Sequence, residues 1–551
     1  MALYTGRDIF IRVLNAQGVE DIFYNPGLDV VPFLSAAARF KARGQPAPRP
    51  VMCLDEFAAL NAAHGHYLIS GKPQVVLVHA ELGTQQVGGA IQQAWYGKVP
   101  VIICAADMSR PGRLNWRAEP FDPGTMLRNC VKWDHRVSEK ENFQAVLQEA
   151  FQRALSEPCG PVYLSYPLDI ISRKAEMSPL TAASAGDWAA VDEGLLAQAA
   201  ALLQNAVNPL IMTGYCGRNP MAVSYLVDLA ETLGAMVVTA PMRMNFPSEH
   251  PLCASLEPTV DRPYFLSADV LLAIDYDIPY ASPDIRPKDE TRFIHIDNDF
   301  VKQGERLWDR RPDVAIQGNS AEIIPRLTAL LRAGLSAGQR IEIQRRAERI
   351  GAENQHRRKN WQEEGRLYAA RKPISAEWLA YCINRVVDSD TIIVNQTITT
   401  SDSVLRQIPR SKPGTLVGCA GGTIGWALGA ALGAKIAAPE KLVVALMGDG
   451  AFIYGGPVAT LWPSASYQAP FLCVIFNNRA YGAIKMLFRG EWKEGIENSL
   501  INPAPEFFQI ASACGAYGQV VKSPEDVLPI LQEAVAKVKS GQAAVVDVHI
   551  D

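Results

Sequence analysis

Two short segments near the carboxyl end of the chain carry the residue types needed to hold an anion through a hard cation. Gly448-Asp449-Gly450 closes the apolar run Val443 to Met447, and Asn477-Asn478 closes the run Phe471 to Phe476. A carboxylate, a side-chain amide and a nearby backbone carbonyl are hard oxygen ligands of the kind that Mg²⁺ or Ca²⁺ takes. Gly448 and Gly450 let backbone approach a bound group closely, and a helix starting there offers N–H donors to phosphate. Either segment alone reads as an ordinary turn. Together, on consecutive strand ends, they form a specific signal.

The elements around them explain how they meet. Short apolar runs that stop at turn residues predict strands buried on both faces of a parallel sheet. Between the two runs, Pro457 followed by apolar-spaced Leu461, Trp462 and Tyr467 suits a crossover helix. A right-handed βαβ unit brings both carboxyl ends to one edge, so Asp449 and Asn478 arrive where open α/β sheets bind ligands.

GDG, then 26 residues (451–476), then NN resembles the thiamine-diphosphate motif of the acetolactate synthase, pyruvate oxidase and 2-oxo-acid decarboxylase superfamily. The stretch TLW, then NN, then YGA is similar to the benzoylformate decarboxylases within it. The resemblance implies that Asp449 and the Asn478 side chain coordinate Mg²⁺, with the Ala480 carbonyl as third protein ligand. It places Gly448, Gly450, Ala451, Tyr454, Tyr481 and Gly482 against the cofactor. Asn395-Gln396-Thr397-Ile398-Thr399 looks like a decarboxylase loop near the diphosphate, giving Gln396 and Thr397 to the cofactor and Ile398 to the substrate pocket. In Gly421-Gly422-Thr423-Ile424-Gly425, the resemblance implies that Gly422 is a cofactor contact and Ile424 the wedge that keeps the coenzyme bent.

Residues 1–178 alternate helix and strand patterns. Strands are expected at Asp21 to Tyr24, Val51 to Leu54, Val75 to Val78 and Val101 to Ala105, with helices at Asp8 to Ala16 and Phe57 to Ile69, and a turn at Gly83 followed by a helix through Trp95. This pattern reads as a doubly wound parallel sheet. On position alone, Glu56 at a strand-to-helix junction is a cap or a partner of the helix dipole. The resemblance gives it another role, since thiamine catalysis needs a carboxyl group at the aminopyrimidine N1′ and Glu56 stands where the superfamily carries one. Asp55 stands where many relatives have a histidine and receives no role. His79, in VHAELGTQQVGG, is similar to the decarboxylase histidine that faces the substrate, and a neutral imidazole there can move a proton. Asn25-Pro26-Gly27 resembles a cofactor-contacting turn. Leu28 follows where benzoylformate decarboxylases have a serine, and no second histidine lies in Ile274 to Tyr280, so the implied pocket is less polar and its substrate open.

Across all 551 residues, 48% are hydrophobic and 20% charged, and the net charge is −4. That describes an ordinary multi-domain globular protein, with no reason to expect nucleic acid or an anionic membrane as partner. The ten cysteines form no C-x-x-C pair, which argues against a zinc site or a secreted disulfide framework. The start MALYTGRDIF has no secretory pattern and no apolar run approaches a membrane span, so a cytoplasmic location is expected.

Residues 179–187 read as a polar linker, 188–337 as a central α/β domain, 338–373 as a charged helical connector, and 374–551 as a third α/β domain. In relatives the central domain can bind FAD. Here lone glycines follow the strand Leu210 to Met212, and Asp275 and Asp277 end another, so FAD is not expected. The segment Arg489 to Asn502 suits a lid. With the sequence ending at Asp551, no tail is expected to fold over a coenzyme A thioester, which counts modestly against acyl-CoA lyases. The fold class expected is α/β, with three doubly wound parallel-sheet domains binding the pyrimidine (1–178), nothing assigned (188–337) and the diphosphate (374–551). The resemblance further implies a homodimer or homotetramer with active sites at the subunit interface. The expected activity is decarboxylation of a 2-oxo acid, or acetolactate-synthase-like carboligation. The alternatives are a lyase on a 2-hydroxy-ketone or 2-hydroxyacyl-CoA, and an inactive subunit that keeps the fold.

Overall fold

The alternating strand and helix signals resolve into three parallel sheets and one antiparallel strand pair in a computed structural model, which describes residues 3–107, 122–183, 191–254, 258–277, 287–299, 311–490 and 494–551. The first sheet runs Arg49–Met52, Asp21–Tyr24, Gln74–Val78, Val101–Asp107, Val162–Pro167, Trp133–Arg136. The last runs Leu416–Gly418, Ile392–Gln396, Val443–Gly448, Leu472–Asn477, Ala544–His549, Tyr517–Val521. Numbered along the chain, both six-stranded sheets have the order 2-1-3-4-6-5. Each is therefore the same crossover pattern, with helices on both faces and a point between strands 1 and 3 where the winding direction reverses. The central sheet, Met236–Thr239, Pro209–Thr213, Val270–Ile274, Arg292–Asp297, Val314–Gln317, has the order 2-1-3-4-5.

The apolar runs read from the sequence form the buried middle strands. Val75 to Val78, Val443 to Met447 and Leu472 to Ile475 are fully buried, as sheets covered on both faces require. The strands that sequence reading did not single out include edge strands, Leu416–Gly418 and Tyr517–Val521. The latter is mostly half-buried, so it has no continuous apolar run to betray it. The turn expected at Gly83 lies inside a helix, and the helix expected through Trp95 is two helices, Ala80–Gln86 and Gly88–Tyr96. They divide where Val87 meets Gly88-Gly89, residues that weaken a helix.

Ala337–Leu367 is one unbroken helix begun by a capping box, in which the Ser336 and Gln339 side chains each bond the other's backbone. It buries only Ile350, Asn354 and Gly365, as a polar helix bridging two domains does. Toward the central domain, Arg346 donates to the Gly234 carbonyl at 3.1 Å. Toward the last domain, the Trp361 carbonyl accepts from Gln407 at 2.5 Å. Residues 184–187 of the expected linker lie outside the described residues.

The first and last domains pack through two helices, Glu56–Ser70 and Trp426–Ala437. Close approach depends on glycine: a side chain on Gly429 would meet Asn61 at 2.6 Å, and one on Gly65 or Gly433 would run into the opposite backbone. Trp426 Nε1 donates to His64 Nδ1 at 3.2 Å across this seam. Burial pushes the His64 pKa down to about 3, so the ring is a neutral acceptor. No helix among the described residues is long and apolar enough to cross a membrane.

Candidate active site

The carboxyl ends of strands 1, 2 and 3 of the first sheet gather one group of the expected residues. Asn25-Pro26-Gly27 follows strand 1, Glu56 follows strand 2 and His79 follows strand 3. They lie at or beside the point where the winding reverses, the edge at which such sheets bind ligands. Asp55 starts the helix: its Oδ1 accepts from Ala58 N at 2.6 Å, so the cap belongs to Asp55 and the Glu56 carboxylate is left for other work. Glu56 is 4% exposed. Its Oε2 accepts from Asn25 Nδ2 at 3.0 Å. Its Oε1 lies over Gly83, where an added Cβ would come within 2.5 Å of it. Glycine at 83 is what leaves room for this carboxylate.

Gly27 performs the same service for His79. A Cβ there would fall 3.0 Å from His79 Nδ1 and 2.5 Å from Asp29 Oδ1. His79 Nδ1 and Asp29 Oδ1 are 2.8 Å apart, and Asp29 Oδ2 accepts from Ala80 N at 3.0 Å. Asp29 is buried while the His79 side chain is 42% exposed. A three-residue turn thus backs both the carboxylate and the imidazole. Sequence reading missed Asp29; its only signal was an acid two residues after Gly27 at the start of an apolar segment. Leu28, between them, is 90% exposed.

The last sheet repeats the arrangement. Gln396 ends strand 1 and Thr397-Ile398 follow it, Gly421 to Gly425 follows strand 2, Gly448 ends strand 3 with Asp449 to Ala451 after it, and Asn478 follows strand 4. Asp449 is 2% exposed and begins a short helix. Its Oδ1 accepts from Gly450 N at 2.9 Å and its Oδ2 from Ala480 N at 3.2 Å. Asn478 Oδ1 accepts from the same Ala480 N at 3.0 Å. One N–H therefore draws the carboxylate and the amide oxygen to a common point. The polar partners of Asp449 are backbone N–H groups, and burial lifts its pKa to about 6.

Other expected residues surround this turn. Gly482 abuts the Asn478 amide, Nδ2 standing 2.9 Å from where a Cβ would sit, and the Tyr481 ring lies 2.8 Å from the corresponding position on Gly450. The Tyr454 ring meets Phe57, the neighbour of Glu56, edge to face with centroids 5.6 Å apart. Gln396 is buried and both ends of its amide are engaged, donating to Thr423 O at 3.0 Å and accepting from Ala427 N at 3.0 Å. What it holds is the Gly421–Gly425 loop. Thr397 turns inward to Asn395 Oδ1. Gly422 is exposed in that loop, and Ile424 is partly buried against the core.

A further residue not singled out, Gln93, fixes the same loop from the first domain. It donates to Gly421 O at 3.0 Å and Thr423 O at 2.6 Å, and accepts from Ala420 N at 3.0 Å and Gly421 N at 2.7 Å. Ile398 is 58% exposed, and the helix Gly482–Gly490 presents Ile484, Met486 and Leu487 to solvent in a single chain. Of the expected lid, residues 491–493 lie outside the described residues. Its later part is tied to the Asn478 turn, Tyr481 N donating to Ser499 O at 2.9 Å and Ile501 N to Arg479 O at 2.8 Å.

In the central domain the turn after Pro209–Thr213 is already occupied. Gly214 N and Tyr215 N both donate to Asp275 O, at 3.1 and 2.9 Å. The Asp275 carboxylate accepts from Ser320 Oγ at 2.6 Å and lies 3.4 Å from Arg218. Burial raises the Asp275 pKa against the opposing pull of Arg218.

Two six-stranded parallel sheets of one topology, each carrying polar groups at a winding reversal, define an α/β protein with two candidate ligand-binding edges. The chain belongs to the thiamine pyrophosphate enzymes: it matches their N-terminal TPP binding domain over residues 4–126, their central domain over 196–327 and their C-terminal TPP binding domain over 398–548. It is 27% identical over 531 residues to a benzoylformate decarboxylase of Pseudomonas aeruginosa, covering 95% of each chain. It is 24% identical over 578 residues to the acetolactate synthase isozyme 3 large subunit of Escherichia coli, covering 100% of this chain and 96% of that one. In fold it is similar to a thiamine diphosphate-dependent 4-hydroxybenzoylformate decarboxylase of Rhodococcus jostii RHA1, with a TM-score of 0.82, 24% identity and coverage of 100% and 99%.

Proposed function

We propose that this chain uses Mg²⁺ to hold thiamine diphosphate and decarboxylates a 2-oxo acid, with or without transfer of the acyl group to an aldehyde or ketone. The observation that carries the reading is the convergence of Asp449 Oδ2 and Asn478 Oδ1 on Ala480 N, opposite in kind to the buried Glu56 carboxylate held by Asn25. The donor set fits the metal. Two hard oxygens converge, and a buried carboxylate satisfied only by backbone N–H groups calls for a cation. The Ala480 carbonyl is the proposed third protein ligand. Gly448 and Gly450 let the backbone approach a diphosphate closely, and the helix start that includes Ala451 suits its charge.

The chemistry supplied by bound thiamine diphosphate is nucleophilic attack by its C2 carbon on a carbonyl, with storage of the electron pair released as the carbon–carbon bond breaks. This chain's residues prepare that chemistry. Glu56 holds a proton at the aminopyrimidine N1′, Asn25 fixing one carboxylate oxygen and Gly83 making room for the other. Ile424, in a loop held by Gln93 and Gln396, would pack against the coenzyme, and Tyr454, Tyr481 and Gly482 would line its surroundings. His79 moves a proton to or from the substrate. Leu28 and Ile398 give the pocket an apolar wall that excludes water.

The proposed site is assembled from two copies, Glu56 and His79 of one with Asp449 and Asn478 of the other. Among the described residues no hydrogen bond or ring contact joins the Glu56 or His79 side chain to the Asp449–Asn478 turn. Leu28, Ile398 and the apolar face of Gly482–Gly490 are all exposed in one chain, as surfaces that a second copy covers are. A reaction without flavin is supported by the central turn, whose N–H groups are spent on Asp275. The test is a screen of 2-oxo acids and acyloins with protein loaded with thiamine diphosphate and Mg²⁺, following carbon dioxide and carboligation products by mass spectrometry. Turnover of a 2-oxo acid supports the reading; cleavage of acyloins alone, or no turnover of either class, contradicts it.

A further inference from the structure

We propose that Asp29 is a positioning residue that fixes His79 with its proton on Nδ1, making Nε2 the atom that exchanges a proton with the substrate; this rests on the role given to His79 above. Donors and acceptors around Asp29 fix the tautomer. An ionised carboxylate can only accept hydrogen bonds. Asp29 Oδ2 already accepts from Ala80 N at 3.0 Å, and Oδ1 faces His79 Nδ1 at 2.8 Å. That imidazole nitrogen must therefore be the donor, and the tautomer follows. The neighbouring Ala80 sits at φ +20°, outside the usual range for a residue with a side chain. The surroundings hold the pair rigidly. Gly27 packs against both groups so closely that a methyl group would displace them, and Asp29 is 6% exposed.

With Nδ1 engaged by a buried residue, Nε2 is the ring nitrogen left to meet a substrate, on a side chain that is 42% exposed. A proton taken up at Nε2 leaves both ring nitrogens protonated, and the Asp29 carboxylate lies against the resulting charge. Return of that proton from Nε2 restores the neutral ring, so the cycle closes with no other acid. This gives the chain a self-contained proton carrier where its relatives' pattern called for a serine at position 28 and a second histidine.

Asp29→Asn makes a sharp probe. The buried Ala80 N–H still needs an acceptor, which claims the new amide's oxygen and turns its NH₂ toward His79. Nδ1 must then accept, and the proton moves to Nε2. The experiment compares the full-length protein, Asp29→Asn and His79→Ala, all loaded with thiamine diphosphate and Mg²⁺. Histidine ¹⁵N NMR reads the tautomer, the His79 signals being identified among the eight histidines by their loss in His79→Ala. Thermal unfolding and kinetics with the substrate found in the screen complete the comparison.

The expected result is an Nδ1–H ring in the unaltered protein and an Nε2–H ring in Asp29→Asn. With it, kcat falls roughly 100-fold or more, while KM and melting temperature stay close to the original. An Nε2–H ring in the unaltered protein overturns the proposal even if Asp29→Asn fails to fold. So does full kcat in a folded Asp29→Asn when His79→Ala is impaired, and the proposed function then still stands. Full kcat in His79→Ala instead removes the role of His79 on which this inference rests.

Discussion

Asn477 donates its side-chain amide to Asp547 Oδ1 at 2.8 Å, a bond between neighbouring strands buried within the last sheet. Its own Oδ1 accepts from Arg479 N at 3.0 Å and shapes the turn. Both ends of Asn477 are thus used by the fold, and Asn478 is the asparagine left facing Asp449. Asn478→Ala is expected to weaken Mg²⁺-dependent cofactor binding by at least tenfold with little loss of melting temperature. Asn477→Ala strands a buried carboxylate and should lower stability by about 1–3 kcal/mol. Denaturant titration and Mg²⁺ titration of cofactor-induced fluorescence quenching separate the two effects.

Asp449 makes a pH prediction for the metal-free protein. Its pKa in the folded chain is about 6 against an ordinary value of 3.8. The folded state therefore holds the proton more tightly, and between about pH 4 and pH 6 it binds more protons than the unfolded state. Stability from this group falls as pH rises through that window, by about 3 kcal/mol at most. His64 acts in the opposite sense, since its lowered pKa makes the fold lose stability as pH falls below its ordinary 6.5. The informative quantity is the difference between the unaltered protein and Asp449→Asn, in denaturant midpoints from pH 4 to 7. The difference should shrink with falling pH and vanish near pH 4. Mg²⁺ should bind progressively tighter up to about pH 6.

Gly83→Ala tests the space left for Glu56. The added methyl would come within 2.5 Å of Oε1, and Asn25 holds the other oxygen, so the carboxylate has to turn away. The expected outcome is a loss of C2 proton exchange in bound thiamine diphosphate approaching that of Glu56→Gln, with metal affinity retained. Hydrogen–deuterium exchange followed by NMR provides the measurement; unchanged exchange would show that the carboxylate at this place is not needed.

The parts of the fold legible from sequence were those that one rule decides locally. Val443 to Met447 and Phe471 to Phe476 had to be buried strands, and the handedness of their connection brought Asp449 to Asn478. Glu56 was legible only through resemblance, because a lone acid before a helix is indistinguishable from a cap; the structure gives the cap to Asp55. Asp29 and Gln93 were illegible for a different reason. Their partners lie 50 and more than 320 residues away, and nothing in local spacing marks such bonds. The edge strands Leu416–Gly418 and Tyr517–Val521 escaped because half-exposed strands need no apolar run. The glycines of the Glu56–Ser70 and Trp426–Ala437 seam are weak helix positions by propensity, and only the opposing backbone shows what they are for.

The proposed two-copy site has a direct test. Glu56→Gln and Asp449→Asn chains, each carrying a different tag, are coexpressed, and mixed dimers are isolated by successive capture on both tags. C2 proton exchange is then measured with thiamine diphosphate and Mg²⁺. If each site takes its acid from one copy and its metal turn from the other, every mixed dimer holds one intact site, and exchange returns although both parent variants are inactive. If the mixed dimers stay as inactive as the parents, acid and metal turn act within a single chain and the account is wrong.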